Sequence, residues 1–250
     1  MALGTRSEAL IIMILFLKHI DIEGPGTIET YVKEKGIRSR TIALHKGEKL
    51  PETLTGIDAV IVLGGPMNVY EEDNFPFLKD EDAFIKKTVK QEVPYLGICL
   101  GSQLLSKACG AQVGKSPVKE VGWFRVNFTP DGQADPLFKG LQEEINVYHW
   151  HEDMFFVPPG AKLLATAPGC PHQALKVGKN AYGVQFHIEV TDLIIKDWCK
   201  AYFAGDDPEK KTKAREMIET YGKKKENFDA TAWQIYDNFF RIMIDCRVSV

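Results

Sequence analysis

The chain has 250 residues, 44% of them hydrophobic and 26% charged, with a formal net charge of -3. This composition is ordinary for a folded protein long enough for one large α/β domain or two small ones. The mild acidity argues against a nucleic-acid binder, whose footprint would be basic; five irregularly spaced cysteines with no CxxC pair argue against a disulfide framework or structural zinc and predict a reducing, cytoplasmic setting.

In chain order, the longest apolar run is "ALIIMILFL", Ala9 to Leu17. It falls far short of the roughly 20 residues that span a bilayer, so no membrane is expected. Acidic residues in the following "KHIDIEGPG" stand where a signal peptide would carry small cleavage-site residues. The run therefore reads as a parallel strand buried on both faces. "GTIETYVKEKG" reads as a short amphipathic helix closed by Gly36, "IRSRTIAL" and "GIDAVIVLGG" as strands, "FPFLKDEDAFIKKTVKQE" as a longer helix and "VPYLGIC" as another strand. Strands separated by helices of this length predict βαβ units and a doubly wound, mostly parallel sheet. Ligands of such sheets bind at the carboxyl ends of the strands, where "LGGP" and "GICLG" both fall.

The second half changes character. "EVGWFRVNFT", "EINVYHWHED", "KLLATAPG", "HQALKVG" and "NAYGVQFHIE" read as strands divided by turn residues, an antiparallel extension of the sheet. From about Thr191 the chain turns helical and charged, and residues 206–248 are expected to hold two or three helices. Trp233, Ile235, Tyr236, Phe239, Phe240, Ile242, Met243 and Ile244 form an apolar face there, wide enough to cover the core or a partner. The division expected is one α/β domain over residues 1–195 and a helical extension over 196–250 packed on the same domain.

The chemistry concentrates at "GICLG". Gly-x-Cys-x-Gly between a strand and a helix has the form of a nucleophile elbow. A sharp turn there lifts the Cys99 thiol clear of the sheet, and glycines remove the Cβ atoms that would clash. A helix expected to begin near Ser102 aims its N-terminal dipole at the sulfur and favours the thiolate. Such a nucleophile needs a base and a group to orient it. In "YGVQFHIEV", period two puts His187 and Glu189 on one side of a strand end, so the carboxylate can hold the imidazole. The backbone N–H groups of Gly65, in the turn "VLGGPMNVY", and of Leu100 are the candidate oxyanion donors. His149 and His151 share a strand face and with Glu152 or Asp153 form a possible metal cluster; spacing places no third ligand, and no metal is expected.

Together "GGPMNVYE", "PYLGICLGSQLL", "EVGW", "VYHWHED" and "GVQFHIE" resemble the triad-type class I glutamine amidotransferases, and within them the glutaminase domain of GMP synthase and its stand-alone relatives. The resemblance covers about Ala9 to Val190. It implies a flavodoxin-like α/β fold and a Cys99–His187–Glu189 triad. It implies glutamine bound near Gly64, Gly65, Gln103, Trp150 and His151, a γ-glutamyl thioester intermediate, and no cofactor. The family usually shows His-Gly-Asp after a small residue in the fourth motif; Trp150 and Glu152 here predict a bulkier, reshaped lining. No phosphate-binding glycine loop follows Val190, so any ammonia acceptor would be activated on a separate synthetase subunit. The expected partners are thus glutamine or a γ-glutamyl small molecule, that subunit, and a second copy in a homodimer. The alternatives are a stand-alone γ-glutamyl peptidase with the same triad and, more remotely, a non-catalytic binding protein on this scaffold. The three intact catalytic residue types argue against the last.

Overall fold

The computed structural model describes residues 12–248. Residues 9–11 of the first apolar run lie outside the described residues. The rest of that run forms β1 (Met13–Lys18). Ile14 and Phe16 enter one core cluster, while Leu15 and Leu17 enter another on the opposite face. A strand sandwiched between two helical layers has no solvent face, which explains its unbroken apolar sequence.

The alternation continues with α1 (Gly26–Glu34), β2 (Arg38–Ala43), β3 (Ala59–Val62), α2 (Phe77–Lys90), β4 (Tyr95–Ile98) and α3 (Leu100–Ala108). The antiparallel half comprises β5 (Val113–Phe128), β6 (Glu144–Phe155), β7 (Lys162–Thr166), β8 (Ala174–Val177) and β9 (Ala181–Val184), with a short α4 (Pro130–Ala134) after β5. The nine strands of the described residues form one sheet in the order β2-β1-β3-β4-β9-β8-β7-β5-β6. The pairs from β2 to β9 are parallel and those from β9 to β6 antiparallel. This is the expected parallel sheet with an antiparallel extension. The carboxyl ends of β3, β4 and β9 come together at its middle.

Two helices complete the chain, α5 (Asp192–Tyr202) and α6 (Pro208–Val248). The two or three helices expected over 206–248 are instead one helix of 41 residues. Its only interior glycine is Gly222, and one such glycine costs about 1 kcal/mol relative to alanine. Packing along its length outweighs that. Met217, Tyr221 and Phe228 pack with α5 residues, while Ile235, Tyr236, Phe239, Phe240 and Met243 join the core on the α1 face of the sheet. Full burial of each of these larger side chains contributes roughly 1.5–3 kcal/mol. Ile244, expected on the same face, is exposed. Thus α6 forms a layer of the fold, and its apolar face covers the core. Among the described residues, no helix is long and apolar enough to cross a membrane.

Candidate active site

The strand-to-helix turn after β4 is very tight. A Cβ on Gly97 would lie 2.3 Å from the Gly101 carbonyl oxygen, and one on Gly101 would lie 2.2 Å from the Val62 carbonyl oxygen. Only glycine at both places allows α3 to start so close to β3 and β4. Between them Cys99 is held at φ 50, a left-handed conformation unusual for a residue with a side chain. Such strain costs roughly 1–3 kcal/mol and persists where surrounding packing imposes it. Helix α3 begins at Leu100, two residues earlier than Ser102. Leu100 N–H is therefore a first-turn donor that no intrahelical carbonyl can take.

His187 and Glu189 lie just beyond β9, in an irregular segment rather than on the strand itself. Their alignment comes from three separate tethers. His187 N–H donates to the Tyr148 carbonyl of β6 at 2.7 Å, and Thr27 N–H donates to the Glu189 carbonyl at 2.9 Å. From α6, Tyr236 OH donates to the Ile188 carbonyl at 2.7 Å. The Glu189 carboxylate accepts from His187 Nδ1 at 2.6 Å and from Ile188 N–H at 3.0 Å. The other side of the imidazole faces the Cys99 sulfur, near enough for the two to interact electrostatically. Burial disfavours a charged imidazole; Glu189 and Cys99 outweigh it and hold His187 well above the usual histidine range. Cys99, His187 and Glu189 are therefore contiguous and almost wholly buried.

Gly64 and Gly65 follow β3; Gly65 borders a cavity of about 420 Å³ that also holds Cys99 and His187, and Gly64 lies against Glu23 and His187 beside it. A Cβ on Gly65 would lie 2.8 Å from Leu100 Cδ2, so the two candidate oxyanion residues are packed together. His19 supports this loop: its Nδ1 faces the Gly64 carbonyl at 2.9 Å and its Nε2 faces Glu81 at 3.0 Å. Only a doubly protonated ring donates to both. Burial opposes that charge, but the Glu81 carboxylate, its hydrogen bond and the Gly64 carbonyl raise the His19 pKa.

Gln103 lines the cavity, but its amide N–H group already donates to the Asp153 carbonyl at 3.0 Å and to Gln185 Oε1 at 3.2 Å. Trp150 also lines it, and its ring packs against Trp198, Tyr202 and Phe203 with centroids 5.1–5.7 Å apart. His151 borders the cavity too, yet both its ring nitrogens are engaged: Nδ1 with the Asp153 carbonyl at 3.1 Å and Nε2 with Glu120 at 2.9 Å.

Four neighbours of the site are not among the residues expected there, although Gln185 and Glu120 lie inside the motifs "GVQFHIE" and "EVGW". Gln185 Nε2 donates to the Cys99 sulfur at 3.6 Å. Glu23, from the loop after β1, and Tyr202, at the end of α5, reach the cavity beside His187. Glu120, inside "EVGW", meets His149 and His151; these three side chains, rather than Glu152 or Asp153, form the cluster with metal-ligand spacing among the described residues. Its contacts form a hydrogen-bond set that leaves His149 Nε2 and Gln173 Oε1 without partners. Glu120 Oε2 accepts from His149 Nδ1 at 3.2 Å, His151 Nε2 at 2.9 Å and Gln173 Nε2 at 2.7 Å. Burial opposes ionisation of Glu120, but the two imidazole bonds hold its pKa at about 2; burial lowers His149 to about 4 against the pull of Glu120. An ionised Glu120 beside a neutral His149 fits both directions.

Comparison with known proteins shows the same architecture. The family model "Glutamine amidotransferase class-I" matches residues 26–193. The putative glutamine amidotransferase-like protein YfeJ of Salmonella typhimurium is 34% identical over 179 residues, which cover 70% of this chain and 75% of that protein. The glutamine-hydrolysing GMP synthase of Aeropyrum pernix is 35% identical over 160 residues, or 64% of this chain but only 29% of that protein. The crystal structure of a glutamine amidotransferase from Thermotoga maritima superposes with a TM-score of 0.83 at 35% identity, over 93% of this chain and 98% of that one. With its matching fold, its motif set and the family match over most of its length, the chain belongs to the class-I glutamine amidotransferases.

Proposed function

We propose that the chain hydrolyses the side-chain amide of glutamine or a closely related γ-glutamyl amide through Cys99, His187 and Glu189. The observation that carries this reading is the strained Cys99 facing an imidazole whose Nδ1 bonds a buried carboxylate. The Cys99 sulfur attacks the γ-carbonyl carbon while the N–H groups of Gly65 and Leu100 receive the oxyanion. His187 gives its proton to the departing nitrogen, and the C–N bond breaks to leave a γ-glutamyl thioester. His187 then takes a proton from water, whose attack releases glutamate and restores the thiol. Glu189 fixes the imidazole orientation and stabilises its cation. The α-amino and α-carboxyl end of the substrate is assigned to the stretch bordered by Gly64, Gln103 and the Trp150–His151 backbone. The chemistry needs no cofactor. Residues 1–195 supply this machinery in the proposal, and residues 196–250 support it.

The match to about a third of GMP synthase supports a glutaminase that feeds ammonia to a separate synthetase subunit docked over the β4 and β9 ends. The aromatic wall beside His187 favours a second reading, a stand-alone hydrolase of substituted γ-glutamyl amides. One experiment tests their shared core. The purified chain is incubated with glutamine and a series of γ-glutamyl amides, and glutamate is measured. Release that Cys99→Ser removes supports the proposal; release undiminished in Cys99→Ser contradicts it.

A further inference from the structure

The buried carboxylate of Glu23 has no part in the hydrolytic steps, yet it faces the reacting centre. The side chain is only 8% exposed and borders the cavity that holds Cys99 and His187. A methyl group placed on Gly64 would sit 2.4 Å from Glu23 Oε2 and 3.1 Å from His187 Cε1, so carboxylate and imidazole flank the same bare stretch of backbone. The one side-chain hydrogen bond to it among the described residues is a long one, from Tyr202 OH at 3.4 Å. No lysine or arginine of the described residues pairs with it. The two lysines bordering the cavity, Lys115 and Lys119, are engaged by Glu152 and Asp153 instead. The positive charge that acts on it comes only from the imidazoles of His187 and His19, which are already held by Glu189 and Glu81, and a buried carboxylate without a dedicated partner is costly.

The surroundings of Glu23 suit one kind of partner. Trp150, Trp198, Tyr202 and Phe203 line the same cavity, the last three each packing against the Trp150 ring. Trp198 links this wall to the catalytic histidine, its ring 4.8 Å from that of His187, and its indole N–H donates to the Ile22 carbonyl at 3.1 Å, fixing the loop that carries Glu23. Aromatic faces joined to a carboxylate attract organic ammonium groups through the ring quadrupole and the formal charge together. A carboxylate-bearing leaving group, such as the amino acid released from a γ-glutamyl peptide, would be repelled there.

Resting on the hydrolytic reading above, we propose that Glu23 with Trp150, Trp198, Tyr202 and Phe203 forms the leaving-group subsite, and that it binds an ammonium, so that the substrate is a γ-glutamyl amide of a diamine. Cys99 attacks the γ-carbonyl carbon, the amide C–N bond breaks, and the departing nitrogen takes its proton from His187. The diamine leaves with its distal ammonium held against Glu23, and water converts the thioester to glutamate. The net change is one amide and one water giving glutamate and a diamine.

The test compares kcat/KM for γ-glutamyl-diaminobutane, the uncharged isostere γ-glutamyl-pentylamine, the anionic γ-glutamyl-aminobutyrate, and glutamine. The cationic amide is expected to exceed the uncharged one by on the order of ten- to a hundredfold, with the anionic amide slowest. Glu23→Gln should bring the cationic-to-uncharged ratio close to one. Phe203→Leu, which keeps the carboxylate, should reduce the ratio only in part. Equal rates for charged and uncharged amides, a preference for the anionic one, or an unchanged ratio in Glu23→Gln overturns the inference. Hydrolysis of glutamine with none of the substituted amides overturns it while leaving the Cys99 reading intact. No hydrolysis of any amide, glutamine included, overturns that reading and the inference with it.

Discussion

At the scale of single residues, the site separates groups that transfer protons from groups that only hold them. His187 touches both the thiol and the carboxylate, whereas Glu189 acts through His187. Loss of general acid–base catalysis typically costs on the order of 100- to 10,000-fold in rate. His187→Ala is expected to fall in that range and Glu189→Ala to lose less, as measured by kcat/KM; a Glu189→Ala rate equal to the parent would remove Glu189 from the machinery. Glu23 makes a second prediction through stability. Burial, reinforced by Glu189 and opposed by His187 and His19, lifts its pKa to about 7 from the usual 4.5. The folded state then holds a proton there that the unfolded chain has lost, so stability falls as pH rises from the unfolded value to the folded one. Glu23→Gln removes this penalty. It should stabilise the fold at pH ~8 by on the order of 1 to 3 kcal/mol and much less at pH ~5, where both states are closer to neutral. Thermal melts at the two pH values check this, and a gain independent of pH would contradict it.

At the scale of elements, the irregular segment after β9 takes its shape from its neighbours. Tyr236 of α6 donates to the Ile188 carbonyl and contacts Thr27 of α1 at 2.8 Å, so a helix remote in sequence clamps the backbone between His187 and Glu189. Tyr236→Phe leaves a buried carbonyl short of a donor and should cost about 1–3 kcal/mol. It should also lower kcat more than it changes KM, because the imidazole loses its alignment while the binding wall is untouched. An unchanged kcat would show that the clamp is idle. The sequence shows some of this plainly and hides the rest. The alternation of strand and helix, and the elbow at Cys99, depend on near neighbours in sequence, and both can be read locally. His187 and Glu189 could be paired by spacing, although the strand geometry assumed for them ends at Val184. Glu23 and Tyr202 reach the site only because separate loops and helices converge, which leaves no local pattern, whereas Gln185 and Glu120 lie in motifs that are legible although their contacts are not. The single long α6 was hidden by Gly222 and the lysine runs, whose local helix-breaking or solvated character is overridden by packing on α5 and the core.

At the scale of the whole molecule, the C-terminal helix and the catalytic segment belong to one cooperative structure. Phe239, Tyr236 and Ile235 are almost wholly buried against the sheet, and Trp123 of β5 packs on Tyr221 and Phe228. A chain ending at Asp206 would expose that face. It is expected to lose its cooperative thermal transition, and a truncated chain melting with the parent would contradict this. The same unity means that a substrate analogue entering between the β3, β4 and β9 ends meets one nucleophile. The account is tested most directly by treating the intact protein with a glutamine-like electrophile and mapping the modified peptide by mass spectrometry. The predicted result is a single label on Cys99 that Cys99→Ser abolishes; a label on Cys109, Cys170, Cys199 or Cys246 in its place would contradict the account.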